Sequence, residues 1–362
     1  MKLGYFTMPL HPPGSNITQT MDDDLDQLVY LDKLGYSEAW IGEHFTAQWE
    51  NIPAPDLFIA KAIAMTENIV LGTGVTCMPN HNPFMIAHRI AQLDHLAHGR
   101  FQWGIGSGGF PGDFEVFGYD PEQGTHRTMS KEAVELILQL WEDPKPGRYK
   151  SDYWDFTIPE PDDDIGLKFH LSPYQKPHPP IGVAGVSPKS ETLTMAGERG
   201  WIPMSINLVP SNTLAGHWDA VESGATQNNN TANRSDWRIA RHVYVSDTSE
   251  NARREVLEVF GKGYNYLNQF KEEAKKSDLA PAVDRESKDS NGSSLEKMID
   301  DVWIVGDPNE CADKIRDLYN LVGGFGHLLT VTYDPDDHNL QKNSLELLAN
   351  EVLPKLSDLK LN

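Results

Sequence analysis

Apolar residues along this chain change their period in a regular beat. Lys2–Leu10 alternates as a strand, and Met21–Leu34 then carries helical spacing after the acidic run Asp22-Asp23-Asp24. Such a run suits a first helical turn, where carboxylates meet the positive end of the helix dipole. Gly35 ends that helix, and Tyr36–Gly42 is again a short apolar strand. The beat continues with a helix over Pro55–Glu67, a strand over Ile69–Met78, a helix over Asn82–Ala97 and a strand over Arg100–Ile105. In the second half, Pro180–Gly185, Trp201–Asn207, Trp237–Val245 and His327–Thr332 read as strands. Pro188–Arg199, Ser211–Ser223, Ser249–Phe270 and Gln341–Leu356 read as helices. Strands separated by helices predict parallel pairing with right-handed crossovers. Pattern alone does not separate an open sheet from a closed one, but a count of eight strands favours a single-domain (β/α)₈ TIM barrel.

Two segments break the rhythm. Asp143–Pro179 is rich in Pro, Asp and aromatics and predicts an ordered insertion with a small hairpin. Glu272–Ser294 is polar and charged, the composition of a mobile loop, either a lid over a site or a solvated excursion.

Composition narrows the class of partner. A formal net charge of −22 argues against nucleic acid or an anionic membrane, both polyanions. The sequence contains no stretch of eighteen apolar residues and no secretory signal pattern, and its two cysteines, Cys77 and Cys311, form no disulfide framework. A cytoplasmic protein is expected.

In a barrel of this kind, chemistry gathers where strands end. The second strand runs into Glu43-His44-Phe45. A histidine there can serve as acid, base or hydrogen-bond donor, or it can be a structural residue bonded to a neighbouring carboxylate. Gly72 and Gly74 within the third strand imply a close approach, by a flat ligand or by packing. Gly104, Gly106 and Gly109 satisfy G-x-G-x-x-G, yet the following Phe110-Pro111-Gly112-Asp113 reads as a turn-rich loop, so the dinucleotide fingerprint is taken as coincidence. The fifth strand of the beat ends at Gly185-Val186-Ser187, and Pro188 would open a helix with Ser187 as its N-cap, a ready anion site. His88, His95 and His98 share one predicted helix, but no metal-ligand spacing is present, and a metal-dependent hydrolase is a distant reading.

Taken in order, Lys2-Leu3-Gly4-Tyr5-Phe6, Trp40-x-x-Glu43-His44-Phe45, Leu71-Gly72-Thr73-Gly74, Leu93-Asp94-x-Leu96-x-x-Gly99-Arg100-Phe101 and Phe117-Gly118 resemble the bacterial-luciferase-like flavin-dependent monooxygenases. The stretch Gly104–Asp120, with Pro177-His178-Pro179-Pro180 and Ala184-Gly185-Val186-Ser187-Pro188, is most similar to the limonene monooxygenase-like branch. The resemblance implies reduced FMN supplied by a separate NAD(P)H:flavin reductase, O₂ trapped as a flavin hydroperoxide, and a small apolar substrate such as a terpenoid, cyclic ketone or aldehyde. It implies His44 as the catalytic residue and Gly74, Val75, Gly106, Ser107, Gly185, Val186 and Ser187 around the flavin, with a non-prolyl cis peptide at Gly74-Val75. It further implies a substrate pocket built from Phe6, Met8, Phe110, Trp201 and Asn207, and a homodimer formed through the helices after the second and third strands. Where luciferases carry a reactive cysteine and a phosphate-binding arginine, this chain has Gly106 and Ser107, so light emission is not expected. A deazaflavin-dependent oxidoreductase of the same superfamily and a non-catalytic flavin-binding barrel are the rival readings.

Overall fold

A computed structural model of the chain describes residues 1–7, 10–120, 122–259, 263, 266, 295–332 and 338–361. Met8 and the segment Glu272–Ser294 lie outside the described residues. Eight parallel strands close on themselves in the order β1 (Lys2–Thr7), β2 (Glu38–Ile41), β3 (Val70–Cys77), β4 (Phe101–Gly106), β7 (Ile181–Gly185), β8 (Ile202–Ser205), β9 (Arg238–Val245) and β11 (His327–Val331), which returns to β1. The expected closed (β/α)₈ architecture is therefore present. The predicted hairpin is β5 (Gly147–Lys150) with β6 (Asp155–Ile158), paired antiparallel, and a short β10 (Ile304–Gly306) adds to the edge of β9.

The helical ring contains α1 (Ile17–Leu34), α2 (Pro55–Ile63), α3 (Pro83–Ala97), α4 (Pro111–Phe117), α5 (Thr125–Glu142), α6 (Glu191–Arg199), α7 (Leu214–Gln227), α8 (Ser249–Val259), α9 (Leu295–Asp301), α10 (Pro308–Val322) and α11 (His338–Leu347). Several expectations need correction. Asn16 caps α1 through Thr18 N and Gln19 N, so that helix starts four residues early and the acidic run falls beyond its first turn. Ser190, accepting from Leu193 N, caps α6, and Ser187 instead stays in the loop after β7. The stretch after Gly109 is not an open loop. Pro111 fits the first turn of α4, whose Asp113 turns back to take Phe45 N and Thr46 N. Neither α5 nor α10 is among the elements the sequence pattern predicts, although each buries an apolar stripe, Ala133, Val134, Ile137 and Leu140 in one and Cys311, Ile315, Leu318 and Val322 in the other.

Side chains alternate between the barrel interior and the helix-covered face. Trp40 fills the interior, packed among Ile202, Met204, Ala240, Leu329 and Val331 with Phe6 alongside. Its ring occupies the space that side chains on three other strands would need. A Cβ on Gly72 would stand 2.6 Å from Trp40 Cε3, one on Gly182 2.9 Å from Cη2, and one on Gly104 3.3 Å from Cζ3. Gly72 is bare because the indole is there, which answers the choice left open for it; Gly182 meets Met204 as closely as the indole, and Gly104 is barred first by the Thr73 carbonyl at 1.9 Å. Below it, Trp40 Nε1 donates to Glu38 Oε1 at 2.8 Å, and Arg238 holds both oxygens of the same carboxylate at 3.1 and 2.9 Å. Burial pushes the Glu38 carboxyl up, but Arg238 and its hydrogen bonds outweigh that and the net shift is downward.

Two outcomes follow for chemical denaturation. Arg238→Ala, which strands a buried carboxylate, should cost about 3–5 kcal/mol of folding stability. Gly72→Ala should cost about 1–3 kcal/mol by overpacking, and clearly less when introduced beside Trp40→Phe; equal costs in both backgrounds would mean that Trp40 is not what the added methyl meets.

Candidate active site

The strand bodies are buried, but the barrel opens at their carboxyl ends. Phe6, His44, Gly74, Val75, Gly106, Ser107, Ala184, Val186 and Ser187 are all partly exposed there, in contrast to the fully buried Trp40, Leu71, Trp103 and Val183 below them. Parallel strands put all these ends on one side, so distant sequence positions share one mouth.

β3 and β4 are brought together most closely. The Gly74-Val75 peptide is cis, and the β3–β4 register shifts between Thr73 and Thr76. A Cβ on Gly106 would lie 2.6 Å from Val75 Cγ2, and one on Gly74 3.1 Å from Phe6 Cε2. Gly74, Val75, Gly106, Ser107 and Phe6 thus form one patch of low relief. Across the mouth, Gly185 closes β7 against Leu193 of α6, and Val186 and Ser187 follow in the loop. Asn207, just past β8, hydrogen-bonds His242 of β9 at 2.7 Å. Trp201 is not brought to this mouth. It precedes β8 at the opposite end, packed in the outer core with the Arg199 guanidinium 5.0 Å from its ring centroid.

His44 stands at the turn after β2 among acids. Its Nε2 lies 2.9 Å from Glu50 Oε2 and its Nδ1 3.9 Å from Asp113 Oδ2. The loop carrying Glu50 folds back through His44 N to Ile52 O, and Tyr266 OH donates to the other Glu50 oxygen at 3.1 Å. Asp113 also accepts Thr46 Oγ1 at 2.6 Å. The Phe110 ring covers the histidine at a centroid separation of 4.9 Å. Burial works against a charge on His44, but Glu50, Asp113 and Glu43 outweigh it and raise its pKa. Next to it, Glu43 meets His81 Nε2 at 2.8 Å. Burial raises the Glu43 carboxyl despite that partner, and burial with Glu43 and Asp113 nearby keeps the Cys77 thiol well above its ordinary value.

Sequence reasoning pointed to His44 but missed Glu50, Asp113, His81, His242 and Tyr266. Glu50 and Asp113 carried a usable signal, since Glu50 lies in the loop after β2 and Asp113 in the first turn of α4, soon after β4. His81 and Tyr266 join through loop packing that no short spacing encodes.

The mouth suits a flat, largely apolar ring with an anionic tail. Gly74 and Gly106 are partly exposed although Trp40, Phe6 and Val75 fill the space beside their Cα atoms, and the Val186–Ser187 loop offers a hydroxyl and amides. Behind that loop, His217 shares a hydrogen bond of 2.8 Å with Ser205. Burial lowers its pKa to about 4, against the carbonyls of Val186 and Ser187.

A family model described as luciferase-like monooxygenase matches residues 1–324, and the chain belongs to that family. It is 33% identical to 4-hydroxyprotoasukamycin monooxygenase of Streptomyces nodosus subsp. asukaensis, over 99% of this chain and 92% of that protein. It is 32% identical to limonene 1,2-monooxygenase of Rhodococcus erythropolis, over 97% of this chain and 85% of that one. Among solved structures, the oxygenating constituent of 3,6-diketocamphane monooxygenase from Pseudomonas putida, a type II Baeyer–Villiger monooxygenase in complex with FMN, superposes with a TM-score of 0.88 at 30% identity, covering 98% of both chains.

His217 behind the mouth and His327 at the opposite end of the barrel, beside Glu38, give the fold a pH signature. Burial depresses both to about 4, against about 6.5 unfolded, so each favours the folded state fully above pH 6.5 and loses that contribution as pH falls toward 4. Each such shift is worth on the order of 3 kcal/mol at most. Denaturation midpoints should fall between pH 6.5 and 4, with a shallower fall in His217→Gln; an unchanged slope would mean that His217 is not held neutral.

Proposed function

We propose that this chain is the oxygenase of a two-component, FMN-dependent monooxygenase that inserts one atom of O₂ into a small apolar organic molecule. The observation that carries the reading is likeness over nearly the whole chain to an FMN-bound oxygenating constituent, with TM-score 0.88, combined with the partial exposure of Gly74, Val75, Gly106 and Ser107 together at the mouth. Reduced FMN, when bound, supplies the two electrons that let one oxygen atom enter the substrate while the other leaves as water. The protein's own tasks are binding, orientation and proton control. Val75 and Gly106 would lie against the ring, Val186 and Ser187 with Gly185 would hold the phosphate, and His44 would donate to the oxygen that takes on negative charge. Phe6 and Phe110 would face the substrate, with Asn207 at the far wall; Met8, outside the described residues, is assigned to the pocket on the resemblance alone. No arginine follows β4, so the phosphate grip is modest and suits a flavin received from an NAD(P)H:flavin reductase.

The chain also suits a homodimer. Ala62 and Ala87 turn inward, but Leu57 on α2 and Met85 and Leu96 on α3 are 69%, 60% and 52% exposed on neighbouring helices. No helix among the described residues is long and apolar enough to cross a membrane, and we read the protein as cytoplasmic.

Mixing reduced FMN and protein with oxygenated buffer in a stopped-flow instrument tests the function. Flavin reoxidation should differ from that of free FMN, and an apolar ketone or terpene should yield a product carrying ¹⁸O from ¹⁸O₂. His44→Ala should lower product formation by about 10²–10⁴-fold, the usual weight of a proton-transfer group. Reoxidation identical to free flavin, with tight deazaflavin binding, would replace this reading with the hydride-transfer one. In light scattering, Leu57→Glu with Met85→Glu should convert a dimer to a monomer; a wild-type monomer would end the dimer assignment.

A further inference from the structure

His44 is enclosed more tightly than proton donation alone requires. Both of its ring nitrogens face carboxylates: Glu50 at 2.9 Å and Asp113 at 3.9 Å. Neither carboxylate is loosely placed. Glu50 is 6% exposed, and its second oxygen takes Tyr266 OH, whose ring stacks on Trp49 at 5.0 Å. Asp113 is 4% exposed and is fixed by Phe45 N, Thr46 N and Thr46 Oγ1, three donors that match a carboxylate. A neutral imidazole would leave two carboxylates side by side with little water to screen them. A protonated one places a cation between them.

We propose that Glu50, backed by Tyr266 and opposed by Asp113, is a positioning residue that holds His44 as the imidazolium across the working pH range. This rests on the reading of His44 as the group that meets the reacting oxygen. The groups facing His44 are Glu50, Asp113, Glu43 and Tyr266, with Phe110 across its ring face. Beyond Glu43 stand His81 and Cys77. Burial opposes the charge, and the carboxylates around it reverse that. The consequence is chemical. A histidine held as a cation is a donor at both nitrogens and cannot act as a general base, so its part is to stabilise negative charge on oxygen rather than to remove a proton from the substrate.

The sign is definite. The charged form is kept below the raised pKa and is lost as pH rises through it. Removing the Glu50 charge brings that loss to lower pH.

The test is an NMR titration of histidine rings in the full-length, flavin-free protein, with His44 assigned by the resonance missing in His44→Gln. The wild-type midpoint should lie above about 6.5, the ordinary value. Glu50→Gln should lower it by at least one pH unit, Glu50→Asp should restore part of the difference, and Tyr266→Phe should shift it by less than Glu50→Gln. In turnover, the alkaline limb of the kcat profile should move down by the same amount in Glu50→Gln. Circular dichroism and thermal unfolding establish that the variants are folded; should Glu50→Gln fail to fold, Tyr266→Phe and Glu50→Asp carry the comparison. A wild-type midpoint at or below 6.5, or one indifferent to Glu50→Gln, overturns the proposal. Because the titration needs no flavin, it decides the charge of His44 even if oxygenation is never observed, and loss of the functional reading is thereby separable from loss of this one.

Discussion

One indole sets the shape of this molecule. Trp40 is wholly buried at the centre of the barrel, and Gly72 and, together with Met204, Gly182 leave room for it. A ring of eight strands needs its interior filled by side chains that fit together, and here one large residue replaces several small ones. The indole N–H donates to Glu38, and Glu38 is held by Arg238 from the far side of the barrel. β2 and β9 are thereby tied through the interior as well as by their neighbours. A buried pair of this kind adds little net stability over an apolar filling, but it penalises other registers, since a slip would strand a charge.

That constraint reaches the mouth. With Trp40 fixed, β2 has one way to end, and the turn that follows must present Glu43 and His44 at the rim. The bare stretch of β3 continues past the indole to Gly74, where Phe6 joins the packing. What serves as packing space at the middle of the barrel becomes accessible backbone at its end. Both glycines of β3 pack against Trp40, Gly74 against Phe6 as well, and only Gly74 is also partly exposed at the mouth.

This explains what the sequence made legible and what it did not. The strand and helix beat was readable because each barrel strand is short, apolar and bounded by Gly, Pro or polar residues, and the periods hold locally. α5 was missed because its N-terminal residue Gly124 makes no side-chain cap, and its apolar stripe at Ala133, Val134 and Ile137 sits beside a polar surface of equal length. α4 was read as a loop because Pro and Gly open it, although Pro at a first turn is favourable. His44 was visible as a histidine at a strand end. That its two carboxylates would meet it was not, since Glu50 returns through a backbone bond from His44 to Ile52 and Asp113 arrives from α4, after another strand. Of the two alternatives for His44, functional or bonded to a neighbouring carboxylate, the structure shows the bonding, and that bonding does not exclude the other.

The mouth is also electrically lopsided. Around β2, β3 and β4 stand Glu43, Glu50 and Asp113, with His44 and His81 as their partners. Around β7, β8 and β9 there is no matching set of acids among the described site residues, and the cation Arg241 lies fully buried behind the loop after β8, reaching Ser211 and the Ala240 carbonyl. Burial lowers its pKa to about 10, which still leaves it charged at neutral pH. An anionic tail placed at the β2 side would face three carboxylates at close range, and one placed at the β7 side would meet amides with a positive field behind them. The acids that favour a proton on His44 would therefore turn an anionic cofactor tail away from it. A phosphate held at Val186 and Ser187 would leave a flavin ring to reach back across Val75 and Gly106 toward the histidine.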